Sequence, residues 1–119
     1  MALIAIALLN CAHQMRPFDA ALVNARADAK KPAAEKWEMD TAAEMVPKLT
    51  ATMNACEAGL PPADETFTVV VRLEDEGRVA ESVVSPSTKL SQCFRDAISE
   101  TAFPNPPWDG YWLELQMHR

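Results

Sequence analysis

The feature that most constrains this chain is a change of apolar period at Phe67. Phe67, Val69, Val71 and Leu73 alternate with Thr68, Val70 and Arg72, and a two-residue repeat places one set of side chains on one face of a strand. Glu74-Asp75-Glu76-Gly77 reads as a hairpin tip in which Gly77 supplies a positive φ at low steric cost. The return strand runs from Arg78 to about Ser85, where Pro86 ends it. A second alternation follows later, with Tyr111, Leu113, Leu115 and Met117 set between Trp112, Glu114, Gln116 and His118. That is the third strand.

The stretch between the hairpin and the third strand reads as a helix. Ser87 or Thr88 can cap it, and Leu90, Cys93, Phe94, Ala97 and Ile98 make one apolar face, so Cys93 is expected to point into the core. Phe103-Pro104-Asn105-Pro106-Pro107 cannot be helical and forms a stiff extended approach, and Asp109-Gly110 gives a turn. A helical crossover makes the second and third strands run in the same direction. If the third strand lies beside the first, all neighbours are antiparallel and the third strand is a sheet edge; a place beside the second strand is the alternative. One face of the sheet is expected to bury Phe67, Val69, Val71, Tyr111, Leu113 and Leu115 against helix.

Ahead of the strands the pattern is helical. Asp19 is expected to cap a short helix reaching about Ala29, with Phe18 and Val23 as a hydrophobic staple, and Lys30-Lys31-Pro32 ends it with cations at the negative end of its dipole. Ala42, Met45, Val46, Leu49, Met53 and Cys56 then recur at three- and four-residue steps. Pro47 falls inside that stripe and predicts a kink or two helices meeting there. Gly59 and Pro61-Pro62 end the region. The expected fold class is α+β: N-terminal helices, then ββαβ, with a three-stranded antiparallel sheet packed on helix. The expected division is 1–12 as a leader, 13–62 as a helical region and 63–119 as the ββαβ unit, the last two forming one compact domain.

The leader reading rests on Met1 to Ala12, which carry no charge and include the apolar run Ala2 to Leu9. This is far short of the roughly 20 residues that span a bilayer, but it has the length of the apolar part of a signal peptide. A positively charged start is lacking. Leu8-Leu9-Asn10-Cys11 is also similar to a lipobox, with Asn10 where a smaller residue is usual, so lipid attachment at Cys11 is a second reading. A buried N-terminal element of a cytosolic protein is the third.

With Cys11 removed, Cys56 and Cys93 are left as an even pair, which an oxidising compartment would join. At 119 residues less a leader, such a staple helps a small core. Net charge is −6 and basic residues form no run beyond Lys30-Lys31. Nucleic acid and anionic membrane surfaces are therefore poor partners. The acids at the hairpin tip do not make a calcium loop and read as a solvated turn.

Gly77-Arg78-Val79, the stretch Val83 to Ser87, the helical Cys93 and Phe103 to Pro107 occur in one order before a last strand. Together they resemble the TonB C-terminal-like superfamily, and in particular its small disulfide-bearing relatives in proteobacterial envelopes, over about Phe67 to Met117. The resemblance implies a periplasmic or secreted protein whose last strand accepts an extended peptide. The strand-addition candidates are Tyr111, Trp112, Glu114 and Gln116, which would bind another envelope protein or a second copy. The alternative for Trp112 is packing on the N-terminal helices near Trp37. The membrane-spanning helix and long Pro-rich spacer of a TonB energy transducer are missing from this sequence.

Residues for catalysis are sparse. His13 and His118 stand in no nucleophile or metal motif, and the chain has three glycines and no phosphate loop. Asp64-Glu65 and Glu35/Glu38 read as solvated carboxylates. No enzyme activity, cofactor or metal is expected. The competing reading is an inhibitor or immunity-type protein of a secreted enzyme, with Glu74-Asp75-Glu76 as its contact.

Overall fold

The computed structural model describes residues 15–119. The expected leader at 1–12, the lipidation candidate Cys11 and His13 lie outside the described residues. Two helices, α1 (Pro17–Ala29) and α2 (Pro32–Glu57), precede the strands β1 (Thr66–Leu73) and β2 (Val79–Ser85). Helix α3 (Lys89–Ser99) and strand β3 (Tyr111–His118) complete the α+β fold. The sheet order is β2-β1-β3 with both pairings antiparallel, so the third strand lies beside the first.

The sheet is covered on both faces. Val69, Val71, Leu73, Tyr111 and Leu113 face α2 and α3, where Phe94, Leu90, Ile98, Met45 and Met53 complete the main core. The opposite face carries Val70, Val83 and Trp112, which pack on Ala21, Ala25, Phe18 and Leu22 of α1. Val70 is therefore fully buried although its neighbours in the alternation are partly exposed. Trp112 does pack on an N-terminal helix, but on α1. Trp37 lies on the other face, edge-on to Tyr111 with ring centroids 5.4 Å apart.

Several local expectations are corrected. Helix α1 starts at Pro17, whose φ is already fixed for a first helical turn, with Arg16 as its cap residue. Asp19 lies inside the helix and pairs with Arg16 at 2.9 Å, and Val23 is 55% exposed, so there is no staple. Helix α2 runs unbroken through Pro47. Pro47 and Ala43, the residue whose carbonyl it leaves without a donor, are both exposed, so water can take the missing bond. Ala42 and Val46 are also exposed, and the buried stripe of α2 runs instead through Ala34, Met45, Met53 and Cys56.

The hairpin tip behaves as its sequence implies. Gly77 has φ +80°, and it is pressed so closely on the chain after α3 that an added Cβ would lie 1.8 Å from the Phe103 carbonyl oxygen. Phe103 N–H donates to the Gly77 carbonyl at 3.0 Å, and Asp75 N–H donates to the Asp109 carboxylate at 3.0 Å. The extended approach to β3 is thus fastened to the tip of the hairpin. At α3 the expected cap forms: Thr88 Oγ1 accepts from Ser91 N–H at 3.1 Å, and Ser91 Oγ accepts from Thr88 N–H at 2.8 Å.

Cys56 and Cys93 form the disulfide that ties the end of α2 to α3, with Cα atoms 5.8 Å apart. Cys56 is buried, whereas Cys93 is exposed rather than pointing into the core. Leu90, Phe94 and Ile98 fill the inward face of α3, which leaves Cys93 and Ala97 on its flank.

Candidate functional site: the free margin of β3

The register of β3 fixes which backbone groups it offers. Glu65 N–H donates to the Arg119 carbonyl at 3.4 Å and Arg119 N–H donates to the Glu65 carbonyl at 3.0 Å, a closely bonded antiparallel pair just beyond the strand ends. Bonded and non-bonded pairs alternate along such a ladder. With Phe67 opposite Met117, Val69 opposite Leu115 and Val71 opposite Leu113, the odd-numbered residues of β3 bond inward to β1. Trp112, Glu114, Gln116 and His118 therefore turn their N–H and C=O groups outward.

One of these outward groups is taken. Trp112 N–H donates to the Asp28 carboxylate at 3.0 Å, and Asp28 also pairs with Lys31 at 3.4 Å. The last turn of α1 thus caps the margin at Trp112. Among the described residues no backbone partner lies beside Glu114, Gln116 and His118 on their outer side, because β3 stands at the end of the strand order.

The four residues named from the sequence play different parts. Tyr111 is fully buried, and its hydroxyl donates to Glu38 Oε1 at 3.3 Å. Burial first, then the charge of Glu38 and the bond to it, push the phenol pKa above its ordinary value. Its side chain belongs to the core, so it offers nothing to a partner. Trp112 is half-buried under α1 with Arg72 stacked over its ring at 5.9 Å. Glu114 pairs with Arg26 at 3.3 Å and accepts from the Gln116 amide at 2.7 Å, and Gln116 is exposed.

Two hollows adjoin this margin. A groove of about 190 Å³ separates β3 from the middle of α2, walled by Trp37, Thr41, Met45 and Leu49 on the helix and by Leu113 to Leu115 on the strand. A wider hollow of about 510 Å³ lies at the far end of the sheet and includes Thr66, Thr68, Ser85, Gln116 and His118. A further concavity lies beside the start of β2, the other sheet margin, with Arg78, Val79, Ser99, Thr101 and Ala102 in its wall.

Comparison with protein-family models, with curated proteins and with solved structures finds no match to this chain.

Of the carboxylates read as solvated, Asp64 and Glu35 are exposed, whereas Glu65 and Glu38 have structural work. Glu65 is mostly buried, pairs with Arg119 at 3.3 Å and accepts from the Thr88 hydroxyl, which joins the end of β3 to the cap of α3. Glu38 stands at the groove and holds Tyr111. Nothing in their local sequence distinguishes them, since Tyr111 reaches Glu38 from 73 residues away and Arg119 and Thr88 reach Glu65 from 54 and 23 residues away. Among the described residues, no group of three His, Cys, Asp or Glu side chains is placed to hold a metal, and no helix is long and apolar enough to cross a membrane.

Proposed function

We propose that this is a non-catalytic, exported envelope protein with a TonB C-terminal-like domain, which binds a partner protein by adding a strand of that partner to β3. The observation that carries the reading is the set of outward backbone groups at Glu114, Gln116 and His118 beside an apolar groove. Unpaired ladder groups give such a site its affinity, and the side chains on either side of the added strand give it selectivity. The Cys56–Cys93 disulfide supports a periplasmic or secreted location, because such bonds persist in oxidising compartments.

The test uses a photo-crosslinking residue at position 114 in intact cells, with and without a second change, Gln116→Pro. Gln116 N–H points away from β1, so a proline there removes no bond of the sheet's own ladder. The expected outcome is a crosslinked partner that disappears with Gln116→Pro while the melting temperature stays within a few degrees of the parent. Capture that survives the proline would refute strand addition.

A further inference from the structure

We infer that the strand accepted by β3 is an extended basic segment of the partner, with aliphatic side chains at alternate positions and a lysine or arginine where it passes Glu38. This rests on the strand-addition reading above and adds the chemistry of the occupant. A strand bonded to Glu114, Gln116 and His118 turns every second side chain toward α2, over Met45 and Leu49. Those contacts are apolar and favour aliphatic residues. At the Trp37 end of the same groove stands the exposed Glu38 carboxylate, whose one hydrogen bond comes from the Tyr111 hydroxyl. Among the described residues no cation pairs with Glu38: Lys36 is held by Asp40, and Arg26 is held by Glu114. A cation brought to Glu38 by the incoming strand would pair with a carboxylate that no side-chain cation engages, at the rim of an apolar groove.

The same charges argue against a second copy as the occupant. Joining two β3 margins about a two-fold axis would set two α2 helices on one face of the enlarged sheet. Each brings Glu35, Glu38, Asp40, Glu44 and Glu57 against only Lys36 and Lys48, on a chain of net charge −6. Like-charged surfaces brought together oppose association, whereas a basic segment meets a complementary one.

The experiment titrates the intact protein with a fluorescent ten-residue peptide of alternating valine and threonine that has arginine at both ends, and with its glutamate counterpart. Amide hydrogen exchange is followed alongside. The arginine peptide is expected to bind at least about tenfold more tightly, with slowed exchange at Glu114, Gln116 and His118. Glu38→Gln, which keeps an acceptor for Tyr111, should remove the preference, and Glu38→Lys should reverse it. Equal affinity for both peptides with slowed exchange at those three amides would overturn the basic occupant and leave strand addition standing. Binding of neither peptide would overturn the inference; a dimer protected at the same amides would then name a second copy as the occupant, and no protection at all would remove the docking site too.

Discussion

Gly77 and Gly110 have nearly the same backbone angle, φ +80° and +85°, yet they sit in different surroundings. An alanine at Gly110 meets nothing within 4 Å and bears only the left-handed penalty, about 1–2 kcal/mol. At Gly77 the methyl group would overlap the Phe103 carbonyl, and that backbone cannot retreat without releasing the approach to β3. Gly77→Ala is therefore expected to destabilise by more than about 3 kcal/mol, and Gly110→Ala by about half as much. Urea unfolding of the two variants side by side measures the difference. Tyr111, the chain's one tyrosine, gives a second expectation at this scale. Burial and Glu38 keep its phenol neutral in the fold, so the unfolded chain ionises first as the pH rises. Its stabilising contribution is complete below the ordinary phenol value of about 10 and is lost as the pH climbs toward the higher folded-state value. Unfolding midpoints measured from neutral to strongly alkaline pH should fall less steeply in Tyr111→Phe.

Helix α2 shows what tertiary packing does to a local signal. Pro47 is a helix breaker by propensity, but Met45, Leu49 and Met53 are anchored in the core on either side of it and hold the helix straight through. Pro47→Ala restores a donor on the exposed side and is expected to stabilise by about 1–3 kcal/mol, read as a higher thermal midpoint. Hairpin, α3 and β3 were legible in the sequence because Phe67–Leu73, Leu90–Ile98 and Tyr111–Met117 each carry the period of their own structure. Two features were not legible. The placing of α1 over Val70 and Trp112 depends on Ala21 and Ala25, small residues that announce no apolar face yet let the helix lie close to the sheet. The groove and Glu38 are products of where α2 and β3 pass each other, a relation between residues far apart along the chain. Alternation foretold the margin of β3 and put Tyr111 on the buried face, which excludes its side chain from strand addition, but it did not foretell that Asp28 would take the Trp112 amide.

Across the whole molecule, the disulfide is the covalent tie between the α2 wall of the groove and the ββαβ unit. Serine at both Cys56 and Cys93 should lower stability by about 3–4 kcal/mol from the entropy regained by the unfolded chain, measurable by denaturant titration. Asp28 has a different reach. By occupying the Trp112 amide it ends the run of open outward amides at Glu114, so that Glu114, Gln116 and His118 alone keep theirs along this margin. On the strand-addition proposal, α1 would thereby set how many backbone rungs a guest segment can form, since its last turn already holds the next one.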